Sequence, residues 1–346
     1  MGEEKKIKCV VWDLDHTLWS GVLLEDEKVE LFQHVVQVIE ELDKRGILHS
    51  IASKNDYSSV MAKLQEFGIS EYFLYPQIHW NSKSVSLKTI SAQLNLSLES
   101  FAFVDDQEYE LSEVKYAYPE VMCIAITDIE SIPQMPEMTP RFITEDSANR
   151  RKLYQQESER KISEETFEGP QAGFLKSLNM VFSINLASEA DLQRAEELTV
   201  RTHQLNTTAQ TFSHDELKQL LVDPEYKIYI ASLKDKLGSY GKIGLTLIKC
   251  TETNWKIKLF LMSCRVLSRG VGAVFLNFII DEAKKAGVSL QAEFIHNDRN
   301  RPMYTTYKFN GFKEISNDSN REVTILEYDM EKETLYPTYI LLEIEY

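Results

Sequence analysis

The chain has 346 residues, 43% of them hydrophobic, and a formal net charge of −16. That length allows two domains with packed cores and excludes a chain that is disordered throughout, while the negative field opposes general binding to nucleic-acid phosphates. No apolar run reaches membrane-spanning length and no signal-peptide core precedes the first apolar run, so a cytoplasmic enzyme that binds no membrane is the expectation.

The first predicted strand is Ile7-Lys8-Cys9-Val10-Val11-Trp12, and it runs into Asp13-Leu14-Asp15-His16-Thr17. Side chains alternate at the end of a strand, so Asp13 and Asp15 can face one crevice, the place where open α/β sheets bind ligands. An isolated acidic pair there also caps turns and helices. As a phosphotransfer pair, Asp13 would attack phosphorus and Asp15 would move the proton. Two carboxylates beside a phosphate require a hard cation such as Mg2+.

Three later segments add to this pair. The segment Gly46–Asn55 reads as a second strand ending in a hydroxyl residue, with Ser53 placed to hold a phosphate oxygen. Lys83 falls just before or within the first turn of a predicted helix through Ile90 and Leu94, where its charge opposes the helix dipole. Neutralising a phosphate and its nucleophile is a reason for a lysine at that point; a solvated surface lysine is the plainer alternative. Phe101-Ala102-Phe103-Val104 is another short apolar strand, and it ends in the two acids Asp105 and Asp106, one or both of which complete a metal shell. Between these segments, apolar stripes at Val35-Val36-Val38-Ile39-Leu42 and Val60-Leu64-Phe67 predict helices. The alternation reads as a parallel sheet wrapped by helices over residues 1–130, with spacers too short for a large inserted lid.

In this order, Asp13/Asp15, Ser53, Lys83 and Asp105/Asp106 resemble the four motifs of the haloacid dehalogenase superfamily. The resemblance implies a Rossmann-like domain with Asp13 as nucleophile and Asp15 as acid/base. It also implies Mg2+ held by Asp13, the backbone carbonyl of Asp15, and Asp105 or Asp106. The stretches Trp12–Gly21, Ser53–Asp56, Trp80–Ser84 and Phe103–Asp106 are similar to the FkbH-like branch, and Arg201–Asn206 and Ser263–Val271 resemble that branch's second-domain signatures. This similarity implies a glyceryl unit taken from 1,3-bisphosphoglycerate, dephosphorylated and loaded onto the phosphopantetheine arm of an acyl carrier protein for polyketide or nonribosomal peptide assembly. Thr17, Ala52, Lys54, Asn55 and Arg265 are the substrate-binding candidates. The branch carries an acyl-bearing Cys before its Ser-Lys-Asn motif, where this chain has Ala52. A methyl group cannot be acylated. An engineered replacement of that Cys, direct attack by the carrier thiol, a stand-alone phosphatase and a noncatalytic phosphate- or carrier-binding module all stay open.

Residues 131–170 contain Pro133, Pro136, Pro140 and Pro170 and one charged run, Asn149–Arg160, which reads as a connector with a solvated helix. From residue 171 to 346 strands are predicted at Lys227–Ala231, Gly244–Ile248 and Lys258–Met262. A helix follows, with a stripe at Val271, Val274, Phe275, Phe278, Ile279, Ala283 and Ala286. Gly270-Val271-Gly272 before that helix, with Asn297, Tyr304, Tyr307 and Gly311-Phe312 after it, resembles an α/β N-acetyltransferase-like domain. Leu267 stands where that fold usually carries Gln or Arg, which favours a retained fold that cradles a pantetheine arm over active acetyl transfer. A carrier protein, usually acidic, would need basic residues near the cleft, for which Lys54, Lys83, Arg265 and Arg269 are candidates. Cys9, Cys123, Cys250 and Cys264 lack metal-ligand spacing, so neither zinc nor disulfides are expected. Cys264, beside Arg265 and with His203 as a candidate base, is either a structural thiol or a replacement for the missing acyl cysteine.

Overall fold

Cys9–Trp12 forms β1, in which every residue is buried. A strand apolar on both faces suits the middle of a parallel sheet covered on both sides. The computed structural model describes residues 6–202, 204–318 and 323–345, and the chain divides into two units, Met1–Gln155 and Gln156–Tyr346.

The first unit continues through the short pair β2 (Trp19–Ser20) and β3 (Glu30–Leu31), α1 (Gln33–Lys44), β4 (Leu48–Ser53), α2 (Tyr57–Glu66) and β5 (Gln77–Ile78). It is completed by α3 (Lys83–Leu94), β6 (Phe101–Asp105), α4 (Glu108–Ala117), β7 (Met122–Ala125) and α5 (Glu145–Ala148). The sheet order is β5-β4-β1-β6-β7 and every pairing is parallel. Alternation sorts the side chains of β1 and β4 between two cores. Val10, Trp12 and Ile51 pack with Val35, Ile39, Val60 and Leu64 on one face, and Cys9, Val11 and Ala52 with Leu87, Ile90 and Val114 on the other. The chain leaves β1 toward β4 on one side and reaches β6 on the other, so the carboxyl ends of these three strands flank a topological switch point. Asp13, Ser53 and Asp105 stand there.

The segment expected as a connector takes part in packing. Ile132 and Met138 are buried in the first unit's core, and Arg45 Nη1 donates to the carbonyls of Pro133 at 2.6 Å and Met138 at 3.2 Å. The helix α6 (Arg150–Glu165) is not the solvated helix its composition predicts, because Arg151 is 8% and Arg160 1% exposed. In the first unit Arg151 donates to Asp43 at 3.0 and 3.2 Å and lies over the Tyr72 ring. In the second, Arg160 donates to Asp235 at 2.9 and 3.2 Å and lies 3.7 Å from the Tyr240 ring. A guanidinium met by a forked carboxylate and an aromatic face tolerates burial. A count of apolar residues misses that route.

The second unit comprises α7 (Gln171–Ser177), β8 (Met180–Leu186), α8 (Leu192–Arg201), α9 (His214–Val222), β9 (Tyr226–Asp235), β10 (Gly238–Cys250) and β11 (Asn254–Met262). It ends with α10 (Val271–Ala286), β12 (Ser289–Ile295), α11 (Arg301–Phe309), β13 (Phe312–Asp318), β14 (Val323–Tyr328) and β15 (Ile340–Glu345). The sheet order is β13-β14-β12-β11-β10-β9-β8-β15, parallel at β11/β12 and β8/β15 and antiparallel elsewhere. Both units are therefore α/β, as the sequence predicts. The α10 stripe is buried from Val271 to Ala283, whereas Ala286, in the last turn, is exposed; Leu276 and Ile280 are buried as well, so the core surrounds most of this helix. Gly270 precedes α10 with φ +79°, and a Cβ there would lie 2.7 Å from Tyr339 Oη.

Pairing of β11 with β12 runs from Asn254/Ser289 to Ile257/Ala292. Beyond it the two strands receive a third backbone between them. Thr207 N donates to Phe260 O at 3.1 Å, Met262 N to Leu205 O at 2.9 Å, and Ile295 N to Thr207 O at 2.9 Å. Asn300 Nδ2 donates to Asn206 O at 3.2 Å. The signature Arg201–Asn206 thus leads into a wedge built into the sheet.

Candidate active site

At the carboxyl ends of β1 and β6 one ammonium joins two carboxylates. Lys83 Nζ, from the first residue of α3, donates to Asp13 Oδ1 at 2.8 Å and to Asp105 Oδ2 at 2.5 Å. All three residues are buried, and the ammonium also lies 5.7 Å from the Phe103 ring. Burial accounts for the charge balance. It pushes Asp13 up to about 7, with Lys83 working against the rise and Asp105 adding to it. Asp105 is likewise raised by burial, with Lys83 opposing. Burial works against the Lys83 charge, but the two carboxylates outweigh it and hold Lys83 above the usual lysine range.

Asp13, Asp105 and Asp106 each offer a carboxylate oxygen, and these oxygens lie within 4.8 Å of one another. Asp106 Oδ1 is shielded from solvent without a hydrogen-bond partner. An oxygen-only donor set with an orphaned acceptor suits a hard divalent cation such as Mg2+. The Asp15 side chain is not in this group. Its Oδ1 accepts from Trp19 Nε1 at 2.8 Å and from Leu23 N at 3.0 Å, and its Oδ2 accepts from Asn55 Nδ2 at 3.0 Å.

The other candidates are spread around these two clusters. Ser53 ends β4 and is 4% exposed. Thr17 is fully buried and its hydroxyl has no partner. Lys54 pairs with the buried Glu110 of α4 at 2.6 Å. Ala52 points into the core that includes Leu87 and Phe103, with no exposed surface. Lys83 and Arg269 are both buried, and Arg269 donates to Glu164 at 2.9 Å, so neither is a surface charge of the kind expected for carrier docking. Arg265 belongs to the second unit. Sequence reasoning missed Trp19, Asn55 as a partner of Asp15, and Glu110. A tryptophan four residues beyond Asp15 was the available signal, since a buried indole N–H needs an acceptor.

Cys264 is exposed and opens a short 3-10 turn, Cys264–Val266, while His203 lies outside the described residues. Cys9 is buried and all four cysteines are free. Cys264→Ser is expected to leave phosphate release within about twofold of wild type, as for a surface change remote from a named interaction; a larger loss would give that thiol a role.

An extended amide-bearing arm such as pantetheine enters a sheet by pairing with free strand backbone. The gap between β11 and β12 does not fit one, because Leu205 and Thr207 already take the backbone groups of Phe260, Met262 and Ile295. Glu164 also pairs with Arg269 immediately before Gly270, where an acid opposes a pyrophosphate. No coenzyme A or pantetheine step is assigned to this unit. Among the described residues no helix is long and apolar enough to cross a membrane.

Residues 19–122 match the model of the family described as Haloacid dehalogenase-like hydrolase. The matched span begins after Asp13 and Asp15 and includes Ser53, Lys83, Asp105 and Asp106. Comparison with curated proteins finds no match. Among solved structures, the chain is similar to the N-terminal part of a Bacteroides fragilis protein containing a phosphatase domain complexed with Mg, at 22% identity and TM-score 0.34, over 42% of this chain and 39% of that one. It is also similar to the ribosomal-protein-S18-alanine N-acetyltransferase of Escherichia coli, at 19% identity and TM-score 0.34, over 45% of this chain and 99% of that one. A third is the PaiA N-acetyltransferase of Thermoplasma acidophilum in complex with coenzyme A, at 17% identity and TM-score 0.35, over 43% of this chain and 98% of that one. The match to the Haloacid dehalogenase-like hydrolase model lies wholly within the first unit.

Proposed function

We propose that the first unit is a Mg2+-dependent phosphotransfer enzyme of the phosphatase type. The observation that carries this reading is the Lys83 ammonium held between Asp13 and Asp105, with Asp106 close enough to share a cation with both acids. Mg2+, held by Asp13, Asp105 or Asp106 and the Asp15 carbonyl, would neutralise the phosphate and draw Asp13 into its ionised form. Asp13 then forms a bond to phosphorus as the leaving oxygen departs with a proton from Asp15. Water attacks the aspartyl-phosphate and gives its proton to Asp15, releasing phosphate and restoring Asp13. Lys83, Ser53 and the Thr17 hydroxyl hold the phosphoryl oxygens, an electrostatic contribution suited to a loose transition state.

The motif resemblance supports a phosphorylated three-carbon acid such as 1,3-bisphosphoglycerate as substrate, and a carrier-protein phosphopantetheine thiol as acceptor of the glyceryl unit. A second reading, a stand-alone phosphatase, is favoured by Ala52. Its methyl group cannot relay an acyl group, and its side chain lies wholly inside the core. A noncatalytic binding module is the third reading, and turnover separates it from the other two.

Intact-protein mass spectrometry tests these readings, using phosphopantetheinylated carrier protein, Mg2+ and 1,3-bisphosphoglycerate, with an Ala52→Cys variant in parallel and phosphate release from acetyl phosphate measured alongside. A glyceryl adduct on the carrier with Ala52 in place is the result expected for direct transfer. Phosphate release with no adduct selects the stand-alone phosphatase. An adduct only with the cysteine variant marks a disabled transferase, and absence of turnover with every substrate overturns the enzyme reading.

A further inference from the structure

A carboxylate offers about four lone-pair positions, and three of those on Asp15 are taken. Trp19 Nε1 and Leu23 N both donate to Oδ1, at 2.8 and 3.0 Å, and Asn55 Nδ2 donates to Oδ2 at 3.0 Å. The arrangement is built from buried parts. Trp19 has no exposed surface and Asn55 is 2% exposed. The Asn55 amide is fixed in orientation, because its Oδ1 accepts from Asp56 N at 2.9 Å, which leaves Nδ2 to face Asp15. The chain returns to Asp15 through a left-handed residue, His16 at φ +56°, and His16 N donates to Gly21 O at 3.3 Å. The pairing of β2 with β3 then sets Trp19 in place. The Leu23 amide comes from the loop between those strands, where Asp26 Oδ2 accepts from Val22 N at 2.6 Å.

We infer that Trp19, Asn55 and the Leu23 amide form a clamp that fixes the Asp15 rotamer and leaves Oδ2 as the oxygen that exchanges the proton with the leaving or attacking oxygen. Trp19 and Asn55 are positioning residues. Oδ1 has its two lone pairs occupied by donors that stay in place, whereas Oδ2 keeps one free. The inference rests on the phosphotransfer reading, since Asp15 acts only if Asp13 does. The Trp19–Asp15 contact itself can be observed without turnover.

The test uses the full chain with Mg2+ and acetyl phosphate, comparing wild type, Trp19→Phe, Asn55→Ala, Asp15→Asn and the Trp19→Phe/Asp15→Asn double variant. Trp19→Phe removes the N–H and keeps an aromatic ring in the core. It is expected to lower kcat about tenfold with KM within about twofold, as for an interaction that matters in the transition state. The double variant is expected to be no slower than Asp15→Asn, because residues acting as a unit are non-additive. Asn55→Ala removes the donor on the other oxygen and must give the same kcat-selective loss, which guards against a folding defect in Trp19→Phe. Losses that multiply in the double variant, or that fall on KM, overturn the clamp. Independently of activity, the Trp19 indole N–H resonance should move in Asp15→Ala. An unchanged resonance overturns the contact, whereas a moved resonance in a protein without turnover confirms the contact and removes the phosphotransfer reading.

Discussion

Asp13→Asn is expected to lower phosphate release by about four orders of magnitude, the scale on which removal of an essential nucleophile or its partner is felt. The same substitution should not weaken the fold. One ammonium now faces two buried carboxylates; with Asn at position 13 the buried charges are one of each sign. The pH dependence supplies a sign. Burial raises Asp13 from the ordinary carboxylate value of 3.8 to about 7, so the folded state holds that proton more tightly than the unfolded state does. Wherever the native state binds more protons, stability falls as pH rises. Asp13 therefore contributes a decline between about pH 4 and pH 7 in the metal-free protein, and Asp13→Asn should remove it. Thermal melting in chelator across that window, with phosphate release measured in Mg2+, separates the two effects. Loss of both stability and activity at pH 8 would mean that Asp13 is first a structural residue.

Lys83→Met reverses the balance. Asp13 and Asp105 would face each other in a buried site with no cation, and breaking a buried pair by removing one partner costs about 3–5 kcal/mol. The expected result is a large drop in melting temperature in chelator at pH 8. The drop should shrink toward pH 6, where the raised carboxyl groups take up protons. It should also shrink on adding Mg2+, since a ligand that binds only the folded state stabilises it. Activity is expected to fall about 100- to 1,000-fold even with saturating Mg2+, the scale of removing one electrostatic donor from a transition state. A variant that melts like wild type in chelator would show that the ion pair contributes nothing to holding the site.

Much of the first unit was legible because its strands are apolar on both faces and stop at polar residues with chemistry to perform. Lys83 was legible for a sharper reason: a lysine in a helix's first turn opposes the dipole, and its two carboxylates supply the compensation. Which face Ala52 takes was not legible, because the surrounding strand residues are all buried and a one-residue change of phase exchanges the two cores. The anchoring of α6 was hidden by its composition, since its buried residues are arginines whose partners, Asp43 and Asp235, lie far along the chain. The Asp15 clamp joins a tryptophan four residues away to an asparagine forty residues away; the β2/β3 pairing places the first and the parallel β1/β4 pairing the second.

The wedge between β11 and β12 bears on how the second unit comes to be folded. Thr207 meets Phe260 across 53 residues of chain, and Asn206 meets Asn300 across 94. Contacts of that span require loop closure before they give any return, so they are expected to form late. Until residues 205–207 arrive, the ends of β11 and β12 present unpaired backbone inside an otherwise finished sheet. Such an opening is a ready acceptor for another extended chain. Once in place, residues 205–207 close that opening, because Leu205 and Thr207 take the backbone groups of Phe260, Met262 and Ile295.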